Sequence, residues 1–170
     1  MGSGEDVANP EAAAEIGRLI AGLGHDLLTG AGQGVMAAVA EAFISVTPRA
    51  GISIGVVPAK AAGDATPPAG YPNEFVELPI YTHLGRGGSD DNTSRNPVNV
   101  LTSNAIILLP GHGGTYAELR LAARYNRPRI LYLGDGAIDG HGTADLAHLA
   151  PAAGSLEAVR AFLETALPEG

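Results

Sequence analysis

Two glycine-rich stretches are the parts of this sequence best suited to hold an anion. "TGAGQGVM" covers residues 29–36, and "PGHGGTYAE" covers residues 110–118. Each follows an apolar run typical of a strand and opens an apolar run typical of a helix. Glycines leave the backbone N–H groups at a helix start accessible, and the positive end of the helix dipole favours negative charge. Both stretches therefore predict a phosphate-binding turn.

The first stretch does not predict a dinucleotide site. That fingerprint would need another glycine where Val35 stands and an acidic residue near the end of the next strand, where the chain has Pro58 and Lys60. A phosphate on a smaller ligand fits the pattern. The alternative is a tight strand-to-helix turn that binds nothing, and a second turn of the same kind weakens that alternative.

Thr115 and Glu118 add polar groups to the second stretch. The Thr115 hydroxyl could bond a phosphate oxygen. Thr-x-x-Glu is also the pattern of a capping box, in which both side chains satisfy amides at a helix start. Because a carboxylate beside a phosphate is electrostatically costly, a Glu118 that faces the site should act on the sugar of a ligand. The sequence leaves both interpretations open.

Composition narrows the choice of partners. The 170 residues are 45% hydrophobic and 16% charged, which predicts a single domain over residues 1–170. Eighteen acidic residues against ten basic ones give a formal net charge of −8, so we predict no nucleic-acid partner. The chain has no cysteine, which excludes disulfides and thiolate metal sites and favours a cytoplasmic location.

Metal and membrane binding also lack support. The five histidines show no pair at the spacing of metal ligands, so we predict no metal site. No apolar run approaches the ~20 residues needed to cross a bilayer, so we predict no membrane partner.

Strand and helix patterns alternate along the chain. Strand patterns cover residues 25–29, 52–58, 74–82, 105–109 and 129–134, and helix patterns begin at Pro10, near Val35, near Arg95, at Thr115 and near Leu156. Asn9 followed by Pro10 predicts the N-cap and first residue of the first helix. The alternation predicts an α/β fold, a three-layer Rossmann-like parallel sheet with helices on both faces. In such folds ligands bind beyond the carboxyl ends of the strands.

Two segments carry further expectations. "MGSGED" at residues 1–6 has the form of a glycine turn that should follow a strand, yet only Met1 precedes it. We expect the first strand to be missing and a slot in the sheet to be left unpaired, the alternative being a fold that begins with the helix at Pro10. The polar, glycine-rich residues 83–93 predict either an active-site lid or a loop without a role.

The motifs together resemble the superfamily of LONELY GUY phosphoribohydrolases. Residues 29–42, the pair Arg95 and Asn96, and residues 103–119 carry the resemblance, which extends to at least Gly134. The family signature is PGGxGTxxE preceded by an arginine, and its arginine and final glutamate are catalytic. The resemblance therefore implies that Arg95 and Glu118 are catalytic.

The resemblance also implies a set of phosphate- or nucleotide-binding residues in and beside the two turns. They are Gly30, Gly32, Gly34, Val35, Asn96, Gly111, His112, Gly113, Gly114 and Thr115. His112 stands where the family has its second glycine. This departure predicts a changed phosphate turn and a changed choice of ligand.

"NEFVELPIYTHL" and "SRNPVNVLTSNAII" are more similar to a branch that includes molybdenum-cofactor carrier proteins. Those carriers share the fold and bind a phosphorylated pterin without turnover. Two hypotheses follow. The first, favoured by the presence of Arg95 and Glu118, is hydrolysis of the N-glycosidic bond of a nucleoside 5'-monophosphate to base and ribose 5-phosphate. The alternative, favoured by His112 and the flanking sequence, is a non-catalytic carrier or sensor of a phosphorylated cofactor.

The two hypotheses share several expectations about partners. Each needs a small phosphorylated ligand, either a nucleoside monophosphate or a pterin phosphate, and neither needs a resident cofactor. Family resemblance implies a homodimer or a dimer of dimers, with helix faces buried between subunits.

Overall fold

The computed structural model describes residues 1–4, 9–61, 63–86 and 93–167, within which strands and helices alternate. The helices are α1 (Pro10–Gly22), α2 (Val35–Ile44), α3 (Asn96–Thr102), α4 (Gly113–Arg124), α5 (Thr143–Leu146) and α6 (Leu156–Ala166). The strands are β1 (Leu27–Thr29), β2 (Ser53–Ala59), β3 (Leu78–Gly85), β4 (Ile106–Leu108) and β5 (Arg129–Leu131). Residues 87–92, the middle of the predicted lid, lie outside the described residues.

All described strand pairs are parallel, as the alternation predicts. β1, β2 and β3 form one sheet in that order, and β4 pairs with β5. β2 is central in its sheet, and every residue of it except Ile54 is buried. Helices pack around the strands, so the predicted Rossmann-like α/β architecture is confirmed.

Two apolar clusters lie on opposite faces of β4. One joins α1, α2 and α6 and includes Ile16, Phe43 and Leu163. The other joins α3 and α4 and includes Val100 and Leu119. Successive side chains of a strand point to opposite faces. For this reason β4 contributes Ile107 to the first cluster, and Ile106 and Leu108 to the second. Helices therefore cover both faces.

β1 and β4 do not pair with each other. Residues 1–3 lie at one end of the gap between them. The Met1 amino group donates to Ile107 O at 2.6 Å, and Met1 O accepts from Leu109 N at 2.8 Å. The rest of the gap is a cavity of about 530 Å³. Among the described residues, no strand lies between β1 and β4.

Local signals set several helix and strand limits. Asn9 caps α1 as predicted, because its Oδ1 accepts from Ala12 N at 3.0 Å. The β3 ladder begins at Leu78, later than the predicted residue 74, because the carboxylate of Glu77 accepts from Ser53 N at 2.8 Å and replaces a backbone partner. The short helix α5 was not predicted. Among the described residues, no helix has both the length and the apolar character needed to cross a bilayer.

Candidate functional site

The two glycine turns meet through Ser3. Ser3 O accepts from Val35 N at 2.9 Å in the first turn, and Ser3 N donates to Pro110 O at 3.2 Å in the second. A Cβ added at Gly2 would lie only 2.5 Å from Val35 Cγ1, so the backbone of Gly2 packs closely against the Val35 side chain. The chain therefore brings the turns that follow β1 and β4 to one place, where an anion could contact both.

Residues 70–73 hold the first turn from outside. Asn73 Nδ2 donates to Gly32 O at 2.7 Å, and Asn73 N donates to Ala31 O at 2.9 Å. Gln33 Nε2 donates to Gly70 O at 2.9 Å. The hydroxyl of Tyr71 lies above Gly32, where an added Cβ would be 2.6 Å from Tyr71 Oη. These contacts cover the first turn and fix its shape.

Arg95 lies against the first turn with much of its guanidinium unused. The residue is 5% exposed, and an added Cβ at Gly30 would lie 2.5 Å from Arg95 Nη2. Its Cζ is 5.3 Å from the ring centroid of Tyr71. Arg95 Nε and Nη1 have no hydrogen-bond partner in the described part of the chain. A buried cation with two free donors favours an anion in the adjoining space.

Burial lowers the pKa of Arg95, and this shift is opposed by Tyr71 and by the negative charge of Glu118. An arginine stays protonated in proteins under all ordinary conditions. The lowered pKa therefore does not indicate a neutral side chain. It indicates that the charge is held in a place with little solvent, where an anionic ligand would gain most from it.

Glu118 is buried in α4 and bonded to α3. It is 8% exposed, and its Oε1 accepts from Asn99 Nδ2 at 2.9 Å. Burial raises the pKa of Glu118, against the opposing effects of the Met1 amino group, Asn99 and Arg95. Asn99 Oδ1 has no partner among the described residues, and a protonated Glu118 would supply a donor beside it.

The capping-box interpretation of Thr115 and Glu118 is wrong. α4 begins at Gly113 with His112 as its N-cap, and no side-chain hydrogen bond caps it. Thr115 is therefore already inside the first turn of the helix, and Glu118 lies a turn further on. The local pattern placed the helix start two residues too late, because the glycines before Thr115 adopt helical geometry.

The second turn leaves its helix start open. Gly111 is required by close packing, since an added Cβ would lie 2.2 Å from Thr115 Oγ1. An added Cβ at Gly113 would meet no atom within 4 Å. The first N–H groups of a helix have no partner within the helix, so those of α4 are available to an anion. His112 is exposed, with φ −113° and ψ −161°, an extended conformation open to any residue.

Comparison with known proteins identifies the family of this chain. The sequence matches the SLOG cluster4 family over residues 1–152. The chain belongs to this family. A protein of Archaeoglobus fulgidus, described only as uncharacterized, is 30% identical over 125 residues, which are 73% of this chain and 71% of the relative.

Several solved structures are similar to this SLOG cluster4 protein in fold and in sequence. The molybdenum cofactor carrier protein of Chlamydomonas reinhardtii matches with a TM-score of 0.72 and 26% identity, covering 99% of this chain and 94% of that one. A molybdenum cofactor binding protein of Rippkaea orientalis has a TM-score of 0.70 and 24% identity, covering 97% and 91%. The resemblance to the LONELY GUY superfamily, close to its carrier branch, is confirmed.

The SLOG cluster4 protein brings some of the predicted site residues together and separates others. Arg95 touches Gly30, and Thr115 touches Gly111. Asn96 is buried, and its backbone N donates to Ser94 Oγ at 3.3 Å. Arg95 and Glu118 influence each other electrostatically, yet no ion pair between them occurs in the described residues.

Sequence analysis missed Tyr71, Asn73, Asn99 and Ser3. Tyr71 and Asn73 lie in a stretch rich in Pro, Ala and Gly, which predicts only a loop. Asn99 carried a usable signal, because it lies four residues after Arg95 and such residues share a helix face. Ser3 lies in the predicted N-terminal glycine turn, but its contact with both other turns depends on the tertiary structure.

Proposed function

We propose that this protein binds a small phosphorylated ligand and carries it without cleaving it, as a carrier of a molybdenum-type cofactor would. The observation that carries the proposal is the guanidinium of Arg95, buried against Gly30 with Nε and Nη1 unpartnered in the described chain. Its positive charge lies against the first glycine turn, and the amides at the start of α4 belong to the second. Ser3 joins the two turns through backbone hydrogen bonds. A phosphate would satisfy both groups.

The state of Glu118 favours carriage over cleavage. Breaking an N-glycosidic bond gives the ribose oxocarbenium character, which a catalytic carboxylate must stabilise with its negative charge. Burial raises the pKa of Glu118, and its Oε1 already accepts a hydrogen bond from Asn99. A raised pKa disfavours the charged form of Glu118 that this role requires.

The names of the structural relatives support the same choice. Two of the solved structures that match nearly the whole chain are named as a carrier and as a binding protein of the molybdenum cofactor. The exposed His112, in place of the family's second glycine, also separates this chain from the hydrolase signature. The ligand class that we infer is therefore a phosphorylated pterin rather than an ordinary nucleotide.

Hydrolysis of a nucleoside 5'-monophosphate is the second candidate. It is favoured by the mutual electrostatic influence of Arg95 and Glu118, two buried residues of opposite charge beside the glycine turns. In that mechanism Glu118 would stabilise the ribosyl cation or activate water, and Arg95 would position the phosphate. It requires Glu118 in its charged form, which burial of this side chain disfavours.

Arg95→Met tests the anion site. Methionine keeps an unbranched side chain but removes the charge and the donors, so affinity for inorganic phosphate and for GMP should fall at least about tenfold, given that hydrogen bonds to charged groups contribute about 1.5–3 kcal/mol. Arg124→Met, at the far end of α4, is the matched control and should bind as the wild type does. Calorimetry measures both. Equal affinities in the two variants would contradict the proposal.

Two further measurements separate carriage from cleavage. Native mass spectrometry of the purified protein should detect a bound pterin phosphate. Chromatography after incubation with AMP, GMP, CMP and UMP should detect no free base. Base release that disappears in Glu118→Gln would instead establish the hydrolase.

We also propose that the chain forms a homodimer or a dimer of dimers. The edge strand β3 exposes Leu78 by 46%, Ile80 by 41% and Tyr81 by 60%, and an apolar edge strand favours association. Ile80→Lys should shift the protein toward the monomer in size-exclusion chromatography with light scattering. Tyr125→Lys, an equally exposed position at the end of α4, is the control. A monomeric wild type would refute this assignment.

A further inference from the structure

The end of β3 and the segment before α3 place two arginines side by side. Gly85 and Ser94 are paired as parallel partners. Gly85 N donates to Thr93 O at 3.0 Å, and Arg95 N donates to Gly85 O at 3.1 Å. Arg86 and Arg95 each follow one member of this pair, so the backbone holds the two residues next to each other at the carboxyl end of the pairing.

The ring of Tyr71 contacts both guanidinium groups. Arg95 Cζ is 5.3 Å and Arg86 Cζ is 5.7 Å from the centroid of this ring, and both are cation–π distances. The Tyr71 hydroxyl also lies over Gly32 of the first glycine turn. The two positive charges are therefore held beside that turn, Arg95 buried against Gly30 and Arg86 on an exposed side chain.

The two positive charges act on each other. Burial and, to a smaller extent, the charge of Arg86 lower the pKa of Arg95. In the described part of the chain, no ion pair joins either guanidinium to a carboxylate, and Arg95 Nε and Nη1 have no hydrogen-bond partner. Two like charges held together in this way favour a ligand that carries more than one negative group.

We propose that Arg86, Tyr71 and Arg95 form a paired cationic subsite that binds two adjacent phosphoryl groups of one ligand, so that the protein prefers a diphosphate to a monophosphate. This inference rests on the proposed function, because Arg95 is also the residue that would hold the first phosphate. Arg86 binds the second phosphoryl group at the exposed side of the first glycine turn. The ring of Tyr71 fixes the positions of the two guanidinium groups. The ligand class is therefore a diphosphate ester.

The two arginines should contribute differently to binding. A guanidinium presents parallel N–H donors that match the oxygens of a phosphoryl group, so each can bind one such group. Arg95 is buried, where little solvent screens its charge, whereas Arg86 is exposed and its interactions are weakened by solvent and salt. We therefore expect Arg95 to determine the affinity for either anion and Arg86 to determine the preference between them.

Calorimetry with inorganic phosphate and with pyrophosphate tests this division. The wild type should bind pyrophosphate at least about fivefold more tightly than phosphate. Arg86→Met should lower this ratio about threefold to fivefold, the range expected of an exposed charged contact, chiefly by weakening the binding of pyrophosphate. Arg124→Met is the matched control and should keep the wild-type ratio. Arg124 is also exposed and also lies over a tyrosine ring, with its Cζ 5.6 Å from the centroid of Tyr125.

A ratio that falls in Arg86→Met and persists in Arg124→Met supports the paired subsite. An unchanged ratio in Arg86→Met overturns it, and so does an equal fall in both variants, which would reflect only the net charge of the protein. These outcomes are distinct from failure of the proposed function. If Arg95→Met weakens phosphate binding while Arg86→Met keeps the wild-type ratio, only the second cation is rejected. A wild type that binds neither anion rejects both.

Discussion

The two glycine turns lie side by side but differ in what covers them. Around the first turn, Asn73 holds the backbone from outside and Arg95 lies directly on Gly30. In the second turn, His112 is exposed and Gly113 adjoins open space. The first turn therefore positions a charged side chain, whereas the second presents backbone amides. Two similar glycine patterns thus provide different parts of one candidate anion site.

The same glycine-to-alanine change should lower phosphate affinity in the first turn and leave it unchanged in the second. In Gly30→Ala the new Cβ meets Arg95 Nη2 at 2.5 Å, the end of a flexible side chain, so the guanidinium should move while the fold persists. Phosphate affinity should fall about tenfold to hundredfold, the range of about 1.5–3 kcal/mol for charged hydrogen bonds.

Gly113→Ala is the matched change in the second turn. No atom lies within 4 Å of the added Cβ, so calorimetry should show phosphate affinity close to that of the wild type. Equal losses of affinity in the two variants would show that the turns do not differ as proposed.

Gly111→Ala should act on stability within the second turn. The added Cβ would lie 2.2 Å from Thr115 Oγ1 and 3.0 Å from Ser3 N, and the latter is backbone that cannot move easily. Urea unfolding should show a loss of about 1–3 kcal/mol, the usual cost of overpacking. Gly113→Ala should show no loss, because alanine favours the helix. A Gly111→Ala variant as stable as the wild type would contradict the packing described.

Glu118 should contribute to the pH dependence of stability, and Glu118→Gln should remove that contribution. Burial raises the pKa of Glu118 in the folded state. The contribution of Glu118 to the free energy of unfolding is therefore complete below the unfolded-state pKa of about 4.3 and is lost as pH rises through the folded-state pKa. In thermal melts between about pH 4 and pH 8, the melting temperature of Glu118→Gln should therefore rise relative to that of the wild type as pH rises. Exposed Glu41→Gln is the control. A relative rise of the variant's melting temperature as pH falls would contradict the raised pKa of Glu118.

His112→Gly should have the smallest effect. His112 already adopts an extended conformation with φ −113°, so glycine relieves no strain. We expect a stability loss of a few tenths of a kcal/mol at most, as for other changes to glycine at an N-cap, and little change in phosphate affinity. A tenfold gain in affinity for GMP would show instead that the imidazole narrows the site.

The sequence by itself determined the alternation of strands and helices and the position of the glycine turns. These features are local: the apolar runs, the cap at Asn9, and the glycines after β1 and β4 each act within a few residues. Family resemblance added Arg95 and Glu118 as a pair.

Only the tertiary structure decided which distant residues meet at the candidate site. Asn99 reaches Glu118 across 19 positions, and Asn73 reaches Gly32 across 41. The capping box was wrong for the same reason, since a four-residue pattern does not record where the helix begins or what packs on it. Burial and pKa depend on neighbours that packing brings from distant positions. The pKa shifts of Arg95 and Glu118 are therefore properties of the fold.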